Sequence, residues 1–416
     1  MNLVMSQSIG LDSTIHSNNM DSIKEMLEAA VASGEMAGAA TIVWRQGKLM
    51  QATCAGWRDI EANLPVQSDT IFRIASASKP ITAALAMLLL EEGRFGLNDP
   101  ITRWAPEFSH MCVLRDPDGR LDESVPANRA PTFNDLLTHR SGITYGEFHR
   151  GPIAIAFAEK LGGSIDTAVA PDDWIAALAS LPLIDQPGEA FHYGHSTDLL
   201  GLLISRMEGV PLGEVFDRRV FRPLGMKDTG FIVPKDKWHR RAALYGFDCE
   251  GTLIRRECVP GGHALPERPE DMRFESGGQG LWSTADDYLA FARVFVEGGM
   301  SNGTRLLSRQ SLALMTSNQL TKEQRVKSTM FGQRIFASGH GYGMGVAVVL
   351  EPEMADPLRC RGGIGTVGWP GAYGGWWQAD PNDKSVLIFL AHNLVELQQL
   401  AKGIGLGIWD AISRFQ

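Results

Sequence analysis

Two hairpin patterns stand at opposite ends of this chain, and they dictate how it can close. Near the start, β-rich runs at Ala39–Trp44 and Leu49–Cys54 flank Gln46-Gly47, the signature of two strands joined at a tight turn. Near the end, Gly374–Ala379 and Ser385–Ala391 flank the turn cluster Asp380-Pro381-Asn382-Asp383. Each hairpin has a helical pattern on its outer side. Ile23, Met26, Leu27, Ala30 and Val31 follow a Ser22-x-x-Glu25 capping box and stop at Gly34, while Leu397, Leu400, Ala401 and Ile404 recur within Glu396–Ile412. Between the hairpins, helical periodicity dominates at Pro80–Glu92, Asp173–Leu181, Thr197–Glu208 and Ala285–Glu297. The pattern predicts an α+β chain with one antiparallel sheet built from both chain ends, flanked by helices, and a mostly helical domain inserted in the middle. The expected partition is residues 1–75 with 276–416 as the sheet domain and 76–275 as the helical one.

Composition narrows the function. With 39 Lys+Arg against 48 Asp+Glu, the net charge of −9 offers no basic field for a nucleic-acid backbone. The longest apolar run, Ile81–Leu90, is too short to span a bilayer. No charged-then-apolar leader occupies the first residues, so the expected location is cytoplasmic, without membrane association. Five scattered cysteines (Cys54, Cys112, Cys249, Cys258, Cys360) form no C-x-x-C pair and read as free thiols. Of 45 glycines, a late group at Gly277, Gly278, Gly280 and Gly362–Gly375 marks places where backbone must come close to something, here read as the walls of a substrate channel.

Chemistry enters at Ser76-Ala77-Ser78-Lys79, which heads the apolar helical run. Residues three apart on a helix share a face, so the Lys79 amine falls beside the Ser76 hydroxyl. Serine is a weak nucleophile until a nearby base takes its proton. A lysine can be that base when burial or a neighbouring cation disfavours its charge. A helix N-terminus adds free N–H groups for a developing oxyanion, and Pro80 fixes where the helix can begin.

Five blocks in order carry a family resemblance: Ile71–Lys79 around the serine, Leu136-Leu137-Thr138-His139-Arg140-Ser141-Gly142, Pro187-Gly188, Pro223-Leu224-Gly225-Met226, and Gly278-Gln279-Gly280-Leu281-Trp282-Ser283-Thr284. Together they resemble the serine β-lactamase-like superfamily, on its class C β-lactamase, penicillin-binding-protein-like and family VIII carboxylesterase side. The resemblance implies an antiparallel sheet with a helical domain and a site between them. It also implies an acyl-enzyme mechanism without a cofactor or metal.

Its second motif, Tyr-x-Asn, corresponds to Tyr193-Gly194-His195, with His195 in place of the asparagine. The implied catalytic set is Ser76, Lys79 and Tyr193, and the sequence leaves open whether Lys79 or Tyr193 is the base. His195 has two readings, a bond to Lys79 or substrate, or a structural role. The third motif corresponds to Trp369-Pro370-Gly371-Ala372, which implies an oxyanion hole from the backbone N–H groups of Ser76 and Ala372. Trp369 stands where β-lactamases carry a lysine, which weakens the β-lactamase reading; Arg359 or Arg361 could restore that charge. His195, Trp369, Gly371, Trp376 and Trp377 are the expected substrate contacts, although core packing is the ordinary fate of Trp376 and Trp377.

Three other patterns are weaker. Gly194-His195-Ser196-Thr197-Asp198 falls one glycine short of a nucleophile elbow, so Ser196 reads as a helix N-cap. Gly363-x-Gly365-x-x-Gly368 lacks the strand and helix of a dinucleotide site. His192-x-x-His195 has no carboxylate at metal spacing. The expected activity is hydrolysis of small to medium carboxylic esters. Amide or peptide hydrolysis, weak β-lactamase activity and acyl transfer are the alternatives from the same nucleophile, and a catalytically dead binding protein is the alternative of another class. The oligomeric state is not legible.

Overall fold

The first hairpin forms as its turn chemistry requires. Gln46 and Gly47, both at positive φ (49° and 86°), join β1 (Gly38–Arg45) to β2 (Lys48–Asp59), with Arg45 opposite Lys48. The computed structural model describes residues 22–163, 165–256, 272–330, 333–336, 339–356, 359–394, 396, 399 and 402–416. Its main sheet has eight strands. The short β3 (Leu64–Pro65) follows β2, and five strands come from the far end of the chain: β4 (His340–Tyr342), β5 (Ala347–Val349), β6 (Val367–Gly368), β7 (Trp376–Asp380) and β8 (Ser385–Ala391). Their spatial order is β4-β5-β6-β7-β8-β1-β2-β3, antiparallel throughout. The closure of the two chain ends is the β1–β8 pairing, from Ala39 opposite Ala391 to Arg45 opposite Ser385.

Helices cover both faces. Residues 22–32 form α1, and α5 (Gly407–Phe415) lies with it on one face, where Leu27, Ala30, Ile408, Ile412 and Phe415 bury Trp376 and Phe389. On the other face α4 (Ala285–Ala292) and the turn after it pack Tyr288, Phe291 and Phe295 on Trp377. Adjacent residues of a strand point to opposite faces, so Trp376 and Trp377 belong to the two cores. This corrects the expectation that they line a substrate pocket.

The middle of the chain is mostly helical. The observed α2 (Ser78–Glu91) and α3 (Ser196–Glu208) match the expected spans to within two residues, and helices at Pro171–Ala179 and Ala285–Ala292 cover the other two, the latter ending earlier than expected in a 3₁₀ turn. The expected C-terminal helix, Glu396–Ile412, lies partly outside the described residues (397–398 and 400–401) and Cys258 wholly so; Gln399 is helical, and a helix spans Gly407–Phe415. The glycine reading also changes. A Cβ at Gly362 or Gly363 would strike Asp380 or Asn382, so these two serve the β7–β8 turn and not a substrate channel.

Candidate active site

Ser76 sits in a single 3₁₀ turn, Ala75–Ala77, leading into α2. Ala75 adopts φ +43°, a conformation that costs a non-glycine residue and persists only when its surroundings over-determine it. They do so here. Ile74 N–H donates to Leu281 O, Tyr288 Oη donates to Ala77 O at 2.9 Å, and Leu281 N–H donates to Ser78 Oγ at 3.2 Å. The turn is thereby tied to the segment that precedes α4. Ser76 is 6% exposed.

One turn on, Lys79 is fully buried, and its Nζ has three partners: Ser76 Oγ at 3.2 Å, Tyr145 Oη at 3.1 Å and Gly278 O at 2.9 Å. A carbonyl can only accept, so one N–H is committed to Gly278. The Tyr145 hydroxyl lies in reach of a second. As an ammonium Lys79 donates its third N–H to Ser76 Oγ; once that proton has left, the same tetrahedral direction holds a lone pair that faces the serine. The cluster can therefore draw a proton from the serine as it attacks.

Tyr145 was not singled out by the sequence. It stands three residues beyond Gly142 of the second block, in a chain with only six tyrosines, and that proximity is the signal that could have found it. Burial, reinforced by the charge of Asp198, holds its hydroxyl well above the ordinary tyrosine range, so Tyr145 remains a neutral phenol that orients Lys79.

Tyr193 reaches the same point from the loop before α3. Lys79 Nζ lies 4.6 Å from its ring centroid, and its hydroxyl accepts from Trp369 Nε1 at 3.0 Å. The ring is packed by His139, Phe148 and Trp369. His139 is buried with its Nδ1 unpartnered among the described residues. Burial, then the positive charge of Lys79, pushes its pKa well below the usual 6.5. A neutral imidazole can pack beside an ammonium where an imidazolium would be repelled.

The third motif approaches from β6. A Cβ at Gly371 would lie 2.6 Å from Ile74 O, so only glycine lets this segment lie against the Ser76 turn. The next residue, Ala372, is exposed, and neither its N–H nor that of Ser76 has an acceptor among the described residues. An oxyanion is stabilised by two N–H groups that converge beside the attacked carbonyl; the contact observed here brings the Gly371 segment to Ile74, two residues before Ser76. Trp369 is at the site, but its polar atom serves Tyr193 and its side chain is almost wholly buried. Arg359 brings its guanidinium carbon to 6.0 Å from the Trp369 ring centroid, whereas Arg361 is exposed.

His195 does not reach Lys79. Its Nδ1 pairs with Asp198 Oδ2 at 2.9 Å, and its ring is enclosed by Tyr145, Phe157 and Trp174. The substrate-contact expectation for His195 is thereby corrected to the structural alternative. Ser196 is the first residue of α3 and not its cap; its hydroxyl pairs with Ser141 Oγ at 2.8 Å. His192 pairs with Asp185. Among the described residues no cluster of metal-ligating side chains occurs, and no helix is long and apolar enough to cross a membrane.

A serine with a lysine one turn on, at the head of a buried helix beside a large antiparallel sheet, is the arrangement of the β-lactamase and penicillin-binding-protein fold. The chain belongs to the family described as Beta-lactamase, whose model matches residues 23–404. It is 45% identical to protein Rv1367c of Mycobacterium tuberculosis over 91% of this chain and 90% of that one. It is 30% identical to the esterase EstB of Burkholderia gladioli over 89% of this chain and 90% of that one. Monacolin J acid methylbutanoyltransferase of Aspergillus terreus is 28% identical over 85% of each chain. Among solved structures, EstCE1, described as a hydrolase with promiscuous acyltransferase activity, superposes with a TM-score of 0.76 at 24% identity, covering 96% of this chain and 100% of that one.

Proposed function

We propose that this chain is a serine carboxylesterase acting on small to medium esters through an acyl-enzyme. The observation that carries the reading is the triple engagement of Lys79, two of whose partners leave its third direction for Ser76 Oγ at 3.2 Å. Ser76 Oγ bonds to the ester carbonyl carbon as its proton moves to Lys79. The carbonyl oxygen takes the negative charge between the N–H groups of Ser76 and Ala372. When the C–O bond breaks, the departing alkoxide takes a proton from Tyr193. The phenol oxygen of Tyr193 already accepts from Trp369, which leaves its own proton to give, and the Lys79 ammonium returns one to the site. Water then attacks the acyl-enzyme, the acid leaves and Ser76 regains its proton. Trp369, in place of a cation, makes a β-lactam carboxylate a poor fit.

The name of the 30% identical relative, an esterase, supports the hydrolytic reading. A second reading, acyl transfer to an alcohol, is favoured by relatives named as acyltransferases; it shares every step except the final acceptor. Turnover of p-nitrophenyl butyrate, with product analysis with and without an added alcohol and nitrocefin in parallel, tests both. Acid release at comparable rate with or without the alcohol is expected. Ester formed in preference to acid shifts the assignment to acyl transfer, and nitrocefin as the best substrate contradicts the reading.

A further inference from the structure

Asp198 lies in the first turn of α3 with its side chain wholly buried, and no Arg or Lys among the described residues forms an ion pair with it. Burying a carboxylate costs several kcal/mol in a protein interior unless its oxygens are well satisfied. Here they are, and all the partners are donors. Oδ1 accepts from Ser276 Oγ at 2.5 Å and from Gly278 N–H at 3.0 Å, while Oδ2 takes His195 Nδ1 at 2.9 Å. Ser276 Oγ itself accepts from Gln279 N–H at 3.0 Å, so its hydroxyl proton is committed to Asp198.

The residue pinned in this way is Gly278, whose carbonyl accepts from Lys79 Nζ at 2.9 Å. Its neighbour is fixed as well, since Gly277 O accepts from Thr82 Oγ1 on α2. A Cβ at Gly278 would stand 2.8 Å from Asp198 Oδ1, so the close approach of carboxylate and backbone requires the glycine. A chain of bonds thus runs from His195 through Asp198 and Gly278 to Lys79 and Ser76. We propose that Asp198 is a positioning residue for the acylation step, holding the Gly278 carbonyl where it takes one N–H of Lys79 and aims the amine at Ser76, with His195 fixing the carboxylate from behind. This rests on the Ser76–Lys79 assignment above. It also accounts for the departure of His195 from the Tyr-x-Asn pattern, because the imidazole turns away from the cleft to serve Asp198.

The test follows kcat and KM for p-nitrophenyl butyrate, and the rate of Ser76 labelling by a fluorophosphonate, in the full chain and its Asp198→Asn variant. The amide keeps the shape but has one acceptor oxygen where the carboxylate has two, so either Gly278 N–H and Ser276 lose their acceptor or His195 must give up its Nδ1 proton to face the NH₂. Expected is a fall in kcat and in labelling rate of about 10–100-fold, with KM within about threefold and a lowered melting temperature that still leaves the variant folded at the assay temperature, the pattern of an interaction lost from the transition state. A folded variant with wild-type kcat and labelling, or one that loses only KM, overturns the proposal. If Asp198→Asn does not fold, Ser276→Ala removes one of the three donors. A fall of about 3–10-fold in labelling rate is then expected, and an unchanged rate overturns the proposal. A wild-type chain that is not labelled at Ser76 contradicts the nucleophile assignment itself, and the proposal falls with it.

Discussion

The indole N–H of Trp369 donates to the hydroxyl of Tyr193 at 3.0 Å; both side chains are buried, and the Tyr193 ring lies over Lys79 Nζ. Trp369→Phe keeps most of the ring and removes the donor. Loss of one buried hydrogen bond of this kind is worth about 1–2 kcal/mol, or roughly tenfold in rate. We expect kcat for p-nitrophenyl butyrate to fall about tenfold while KM stays within about threefold. Steady-state kinetics at fixed pH checks it; a change confined to KM would instead make Trp369 a substrate wall.

Gly371 is the contact point between the third motif and the nucleophile turn, with no room for a Cβ beside Ile74 O. Gly371→Ala must push Ala372 and its N–H away from Ser76. Removing one oxyanion donor costs about 10²–10³ in kcat, and that range is expected here with the melting temperature little changed. Wild-type turnover by this variant would exclude Ala372 from the oxyanion hole.

These effects show what was and was not legible in the sequence. The Ser76–Lys79 pairing follows from helical spacing, and the joining of both chain ends follows from two hairpins whose turn residues are explicit. Tyr145 was missed because its contact with Lys79 spans 66 residues, a distance no local period reports. Motif position points His195 and Trp376 toward substrate because it says which segment borders a cleft and not which way a side chain turns. For His195 the deciding partner is Asp198, and for Trp376 it is the α1 and α5 layer.

Trp376 carries the clearest stability prediction. Trp376→Ala leaves a large cavity under α1 and α5 and should cost about 3–5 kcal/mol in urea unfolding. The preference among acetyl, butyryl and octanoyl esters should stay the same. A shifted preference with little loss of stability would return Trp376 to the substrate pocket.

His139 predicts a pH dependence of stability. Its pKa is held well below 6.5 in the fold by burial and by Lys79, so the unfolded chain binds a proton that the folded chain refuses. Its contribution is therefore complete above about pH 6.5 and is lost as the pH falls below that value, by at most about 1.4 kcal/mol per pH unit. Urea unfolding between pH 7.5 and 5 should show this decline, and His139→Gln should make it shallower, with buried His392 and half-buried His149, whose pKa values are also lowered, carrying the remainder. An unchanged slope in the variant would mean that His139 is not the group responsible.

In the proposed mechanism Ser76 is the residue that becomes acylated. Intact-protein mass spectrometry after mixing with a slowly hydrolysed p-nitrophenyl ester, in the wild type and in Ser76→Ala, addresses it directly. One acyl adduct that maps to Ser76 is expected in the wild type, and neither adduct nor turnover in the folded variant. An adduct on another residue, or full turnover by Ser76→Ala, would contradict it.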